Sequence, residues 1–124
     1  MVVGVLLAWV ATGPVHARMA PEIYAKARET APNVIVLEVS AVEAPAHPPE
    51  HCRVQGKVVT VERGSAYTVG DAVDLQVPCT SKGAPLLVGG TIWQDISALK
   101  AARRGRAYLD TAGTIVQSQY QLLP

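Results

Sequence analysis

The chain has 124 residues, enough for one domain with a modest core and too few for two. Hydrophobic residues make up 49% and charged residues 17%, which is typical of a folded protein, and the 5% aromatic content predicts an aliphatic core. The net charge of +1 excludes the strong positive field that attracts nucleic acid, so we expect no nucleic-acid partner.

The first 17 residues contain no Lys, Arg, Asp or Glu, and residues 2–11 are apolar except for Gly4. This run has the length of a signal-peptide core and is too short to cross a bilayer as a stable helix. Residues 15–17 fit the recognition positions of signal peptidase. The sequence therefore predicts a signal peptide at 1–17, cleavage after Ala17, and a periplasmic or secreted domain at 18–124 without a stable membrane span. The alternative is a buried N-terminal strand, because no Lys or Arg precedes the apolar run.

The mature chain is predicted to begin with a short amphipathic helix over residues 20–31. Pro21 fits its first turn, and Ile23, Ala27 and Ala31 share one face. The helix ends before Pro32, and residues 33–44 follow as a strand that is buried on both sides at its start.

The next two predicted strands, 52–62 and 72–79, form a long antiparallel hairpin after a proline-rich loop at 44–50. A turn centred near Ser65 and Ala66 places Cys52 directly opposite Cys79, within disulfide distance and facing the core. A break in the alternation predicts a bulge between residues 56 and 59. We expect a disulfide because an oxidising compartment would pair the only two cysteines; the alternative is two buried free thiols.

Residues 80–90 form a connection with an apolar run at 86–88, and residues 91–94 have an extended pattern. Asp95 is predicted to cap a helix that runs to Arg104 and stops at a left-handed Gly105. Strands at 106–110 and 114–122 follow, joined by a turn at 111–113.

Five strands, with one helix at the N-terminus and a short one before the fourth strand, predict a mainly β, OB-type Greek-key barrel. Residues 34–39, residues 58–64, the strand end at Cys79, and Leu99 followed by residues 107–109 resemble the netrin-like (NTR) domain shared with tissue inhibitors of metalloproteinases. The resemblance implies an extracytoplasmic binding module. Those inhibitors place an amino-terminal cysteine on the metal of the protease. No cysteine precedes Cys52 here, so that mechanism is not implied.

His47, Glu50 and His51 are the only clustered side chains of metal-ligand type, and a Cys52 thiolate would complete four ligands. Pro48 and Pro49 prevent the helix that would align the histidines, and a disulfide would remove the thiolate. We therefore expect a polar loop with no metal or cofactor, and a small metal-binding protein is the alternative function.

Lys100, Arg103, Arg104 and Arg106 form one basic cluster, which either neutralises a helix end or binds an anionic partner. Trp93 and Tyr108 either pack in the core or bind a partner from an exposed barrel face.

The candidate hydroxyl and carboxylate groups have no nearby histidine to act as a base, so we expect no enzyme; these residues are Ser65, Thr80, Ser81, Asp95 and Ser97. The predicted function is an exported module that binds an extracytoplasmic protein or another envelope component, with Trp93, Arg103, Arg104, Arg106 and Tyr108 as candidate contacts.

Overall fold

A curled, mixed sheet of six strands dominates the computed structural model, which describes residues 20–85 and 89–124. In chain order the elements are α1 (Pro21–Thr30), β1 (Asn33–Glu43), β2 (Glu50–Arg63), β3 (Ala72–Thr80), β4 (Gln94–Asp95), α2 (Ile96–Ala101), β5 (Arg104–Leu109) and β6 (Ile115–Leu123). The strand order is β4-β3-β2-β1-β5-β6, and only the β3–β4 pair is parallel. The predicted mainly β class is confirmed, and the sheet is a half-barrel with one strand more than predicted.

The extra strand is β4, which forms where an extended segment meets the end of β3. The predicted signal peptide at 1–17 and the apolar run at 86–88 lie outside the described residues. No helix within the described ranges is long and apolar enough to cross a membrane.

The core lies on the inner face of the half-barrel, where alternate residues of β1, β2, β3 and β5 meet. It is aliphatic, as predicted, and α2 contributes Leu99 to it. Its largest fully buried aliphatic side chains are Ile35, Leu37, Val54, Val58, Val77, Leu99 and Leu109. The aromatic member of the buried cluster is Tyr120 of β6.

The predicted bulge in β2 is confirmed at Val59. Val36 of β1 faces Thr60, whereas the next residue, Leu37, faces Val58, so Val59 has no partner of its own. A bulge of this kind increases the local twist, which helps a sheet to curl.

The disulfide between Cys52 and Cys79 is present, and both residues are fully buried, with 5.8 Å between their Cα atoms. The predicted register is wrong by two residues, because Cys52 faces Val77 and Cys79 faces Glu50. The cause is an asymmetric loop: β2 continues to Arg63 alongside β1 after its pairing with β3 has ended. A shift of two preserves the face of every side chain, so the disulfide still forms, diagonally, on the inner side.

Helix α1 has the predicted position, but its buried face differs from the prediction. Tyr24 is buried with Ala31, whereas Ile23 is 45% exposed. Arg63 of β2 donates hydrogen bonds to the carbonyl oxygens of Arg28 and Ala31, at 2.8 and 2.9 Å. These bonds satisfy carbonyl groups that a helix C-terminus leaves without partners and hold α1 against the sheet.

Helix α2 is shorter than predicted, because it ends at Ala101 and β5 begins at Arg104. Asp95 caps it as expected, with its carboxylate accepting from the Ala98 N–H at 3.0 Å. The prediction of Gly105 as a left-handed helix stop is wrong. Gly105 is a buried strand residue, and a side chain there would overlap the ring of Tyr120.

The two edges of the half-barrel approach each other at one end. The side chain of Gln94, on β4, donates a hydrogen bond to the Tyr120 carbonyl oxygen on β6 at 2.9 Å. No ladder joins β3 to β6 within the described residues. We call the gap between these two edges the seam.

Candidate functional site

The outer edge of β3 has almost no sheet partner. β4 pairs with Cys79 and Thr80 only, so the edge from Ala72 to Pro78 is unpaired within the described part of the chain. Exposed edges present rows of free N–H and C=O groups and pair readily with other chains.

A cavity of 370 Å³ lies at this edge, and we call it the seam groove. Its lining comes from both sides of the seam: His51, Asp74, Gln76 and Pro78 from the outer face of β2 and β3, and Gly113, Thr114, Ile115 and Ser118 from the start of β6 and the turn before it. This volume falls within the range of ligand pockets in proteins, about 300–1,000 Å³.

The β6 side of the seam groove contains unusual backbone. Gln117 and Ser118 have φ angles of 44° and 59°, a left-handed conformation that costs L-residues energy. They lie in a bulge of β6, since Ala107 faces Tyr120 while Leu109 faces Ile115. Arg28 of α1 supports this bulge through a 2.7 Å hydrogen bond to the buried side chain of Gln119. Left-handed non-glycine residues are concentrated at functional sites, which draws attention to this groove.

The turn before β6 is fixed by Asp110. Its carboxylate accepts hydrogen bonds from the N–H groups of Ala112 and Thr114, both at 2.9 Å. Gly113 completes the turn with a φ of 84°, which favours glycine. One wall of the seam groove is therefore a rigid, locally bonded turn.

Beside the seam groove, an ion-pair cluster crosses three strands. Arg53 of β2 lies 2.9 Å from Glu43 of β1 and also bonds the carboxylate of Asp74 on β3. The hydrogen bond and charge of Asp74, together with the charge of Glu43, raise the pKa of Arg53, and the hydrogen bond from Arg53 lowers the pKa of Asp74. Two carboxylates share one guanidinium, so the cluster has a net charge of −1.

Ser118, His51 and Asp74 line one groove, although they are far apart in sequence. No hydrogen bond joins His51 to Ser118 or to Asp74, whose carboxylate accepts from Arg53 and Gln55 instead. The groove therefore contains the three residue types of a Ser-His-Asp triad, but these three residues lack the hydrogen bonds that connect the members of a catalytic triad.

The loop at 44–49 borders a second cavity, of 450 Å³, which shares His51 and Gln76 with the seam groove. Glu50 and His51 both line this second cavity, whereas His47 lines neither. The described residues contain no group of three or more His, Cys, Asp or Glu side chains that could hold a metal ion. The disulfide also occupies Cys52, so the geometry gives no support to the metal-binding alternative.

The predicted basic cluster divides into two environments. Arg106 projects from β5 and bonds Glu62 at 2.6 and 3.1 Å and Gln121 at 3.0 Å. The hydrogen bonds that Arg106 donates to the Glu62 carboxylate raise the pKa of Arg106. Arg103 and Arg104 instead line a 680 Å³ cleft between the end of α2, β1 and the end of β6, which we call the basic cleft.

The two predicted aromatic contacts lie on different elements. Tyr108 is half-buried on β5, with its hydroxyl 3.4 Å from the Gln121 side chain, beside Arg106. Trp93 is half-buried in the segment that precedes β4, at the opposite end of the strand order. Neither residue lines the seam groove or the basic cleft.

The seam groove could not be predicted from the sequence, because its two walls come from opposite ends of the strand order and meet only when the sheet curls. Two local signals marked its walls. Pro78 in a strand favours an edge position, and the polar run 117–119 interrupts an apolar strand.

Comparison with known proteins yields no relative. No family model matches the sequence, and no curated protein or solved structure is significantly similar to it. The resemblance to the netrin-like domain stays a prediction.

Proposed function

We propose that this protein is an exported, OB-type binding module that takes up an extended peptide segment in the seam groove by adding it as a strand to the edge of β3. The unpaired edge of β3, lying in a groove, is the observation that carries the proposal. Strand addition is a general mode of peptide recognition, in which main-chain hydrogen bonds supply affinity and side-chain pockets supply specificity.

The OB-type assignment rests on the order of the five long strands, β3-β2-β1-β5-β6, and on the helix before β5. In OB folds, ligands bind on the face of the second and third strands, between the loop joining strands one and two and the loop joining strands four and five. The corresponding loops here are 44–49 and 110–114, and the seam groove with its neighbouring cavity lies between them.

The direction of the backbone groups of β3 follows from two observations. The Val58 N–H of β2 bonds the Asp71 carbonyl, so odd-numbered residues of β3 direct their main-chain groups toward β2. Pro78 has no N–H to give and is tolerated where its nitrogen faces the free edge. Asp74 and Gln76 then direct their N–H and C=O groups into the seam.

The side chains around the groove suit a neutral or weakly charged polar peptide. His51, Gln76 and Ser118 make no side-chain hydrogen bonds within the described residues, so they are free to bond a ligand. The lining contains no Phe, Tyr or Trp ring on which a nucleobase could stack and no Lys or Arg for a phosphate backbone.

Export is supported by the buried disulfide and by the apolar run at 2–11. The intact mass of the protein recovered from the periplasm or medium tests it. We expect a chain that begins at Arg18 and that gains alkyl groups on its two cysteines only after reduction. A full-length, already alkylatable chain would contradict export.

The binding proposal is tested by selecting peptides from a random display library against the immobilised protein. Affinities of the free peptides are then measured for two variants at one position. Gln76→Pro removes the edge N–H and leaves the β2–β3 ladder intact, whereas Gln76→Ala removes only the side chain. We expect Gln76→Pro to weaken binding by about tenfold or more, and Gln76→Ala to retain most of the affinity.

A second arm replaces single peptide amides by esters, which removes individual N–H donors from the ligand. Affinity should fall in an alternating pattern along the peptide, because every second residue of an added strand faces β3. Equal affinities for wild type and Gln76→Pro, with both folded by circular dichroism, would contradict strand addition. So would recovery of no binding peptide, or a purified protein that pairs only with its own copies.

A further inference from the structure

The basic cleft lies outside the seam groove and is built by a sharp transition from helix to strand. Helix α2 ends at Ala101, the Ala102 N–H still bonds the Ala98 carbonyl at 3.0 Å, and β5 begins at Arg104. The Arg103 carbonyl accepts a 2.7 Å hydrogen bond from the Val39 N–H of β1. The backbone beneath the two arginines is therefore anchored, while both side chains are exposed.

Four of the six arginines in the described residues have an internal partner. Arg28 bonds Gln119, Arg63 bonds the carbonyl groups at the end of α1, Arg53 bonds Glu43 and Asp74, and Arg106 bonds Glu62 and Gln121. Arg103 and Arg104 form no side-chain hydrogen bond or ion pair in the same set of residues. The other four arginines of the described residues therefore stabilise the fold through polar contacts, and these two adjacent arginines do not.

Neutralisation of the α2 C-terminus does not account for them. Arg63 shows the contacts of a capping arginine in this molecule, because it donates directly to the last carbonyl groups of α1. Arg103 and Arg104 make no such bonds to α2, whose last turn already contains Lys100. Capping therefore requires neither of them.

The surroundings of the two arginines resemble a ligand site. The basic cleft is lined by Glu38, Val39, Ala101, Ala102, Arg103, Arg104, Leu123 and Pro124. A smaller neighbouring cavity of 180 Å³ shares Arg103 and adds Lys100. Arg103 and Arg104 share the basic cleft with one carboxylate, Glu38, while Lys100 lines only the neighbouring cavity. Glu38 forms no ion pair with Arg104, although the two residues face each other across β1 and β5.

We propose that the basic cleft binds a phosphate group, with Arg103 and Arg104 as its guanidinium ligands and Lys100 as a supporting charge. Guanidinium groups bond phosphate oxygens through paired N–H donors, and the adjacent ammonium adds charge without geometric demands. The apolar side chains of Val39 and Leu123 also line the cleft, where they would contact the rest of the molecule that bears the phosphate group. This site is independent of peptide binding in the seam groove.

The test uses two charge-matched double variants of the whole protein. Arg103→Gln/Arg104→Gln removes the proposed ligands, whereas Lys26→Gln/Lys82→Gln removes two exposed cations elsewhere. Inorganic phosphate is titrated into each protein while backbone amide resonances are followed. We expect saturable shifts around residues 101–105 in wild type and in the lysine variant, and at least about tenfold weaker binding in the arginine variant.

A parallel arm measures co-sedimentation with phosphatidylglycerol vesicles, and with phosphatidylcholine vesicles as a reference. Arginine-dependent binding of inorganic phosphate assigns the site to a soluble phosphate. Arginine-dependent binding of phosphatidylglycerol vesicles alone assigns it to a lipid head group. Absence of both, or equal weakening in the lysine variant, would overturn the proposal.

Discussion

The β2–β3 hairpin is joined across its strands by a disulfide, whereas the β5–β6 hairpin is fixed by the Tyr120 ring packed over Gly105. The first has a regular ladder from Glu50 to Lys57, and the second bulges at 116–119. The first hairpin is stabilised by a covalent bond, and the second by the close packing of the Tyr120 ring on Gly105. Because the seam lies between these hairpins, its width depends on both.

Removing the disulfide tests how much the covalent bond stabilises the first hairpin. We expect this change to cause the largest loss in the free energy of unfolding. In the chain-entropy model, a bridge between residues 27 positions apart contributes about 3.5 kcal/mol to the free energy of unfolding. We expect Cys52→Ala/Cys79→Ala to lose at least this amount in urea denaturation, since truncating two buried residues also leaves a cavity. The reduced wild-type protein is the control, and a midpoint equal to that of the oxidised protein would contradict the prediction.

Gly105→Ala tests how much the packing of the Tyr120 ring on Gly105 stabilises the second hairpin. The new methyl group would overlap the Tyr120 ring, so we expect a loss of about 2–3 kcal/mol in the free energy of unfolding. The same substitution in a Tyr120→Ala background should cost much less, because the overlap is gone. Additive losses in this double-mutant cycle would show that the ring and the glycine are not coupled.

High pH should weaken the second hairpin selectively. Burial raises the pKa of Tyr120 to about 12, above its ordinary value of 10.0. A raised pKa in the folded state means that the contribution is fully present below pH 10 and is lost as the pH rises toward 12. We expect wild type to lose up to about 2 kcal/mol more than Tyr120→Phe over this interval. Parallel alkaline unfolding curves for the two proteins would contradict this assignment.

The ion-pair cluster on the first hairpin should have the smallest effect, because its members are exposed and screened by water and salt. Arg53→Gln should leave the unfolding midpoint almost unchanged while the pKa of Asp74, measured by carboxyl NMR, rises toward its ordinary value. The small contribution of Asp74 to the free energy of unfolding is fully present at pH values above its ordinary pKa and is lost as the pH falls through the lowered pKa. A large loss of stability at neutral pH would contradict this ranking.

Much of the first hairpin could be predicted from the sequence, because alternating apolar residues specify which face each side chain occupies. That parity was enough to pair Cys52 with Cys79, even though the register differed by two residues. The register depends on the asymmetric loop at 64–71, and alternation contains no information about loop symmetry. The second hairpin was harder to predict from the sequence. The residues around Gly105 fit a glycine that ends a helix equally well as a strand glycine on which an aromatic ring packs.

The candidate sites depended still more on tertiary structure. Arg103, Arg104 and Arg106 are neighbours in sequence, but of these three only Arg106 bonds Glu62, which lies 44 positions earlier in the chain, on β2. The seam groove likewise combines β3 and β6, which are brought together only by curling. Its polar components were visible in the sequence, but their proximity was not.

The central position of β1 has a consequence for how the protein folds. Its first ladder joins the next strand in the chain, but its second joins Val34 to Tyr108, near the opposite end of the domain. Pairing of such distant segments is slow, whereas the β2–β3 hairpin is local. The β2–β3 hairpin and its disulfide can therefore form before β5 pairs with β1, so that the later strands assemble on a hairpin that is already cross-linked.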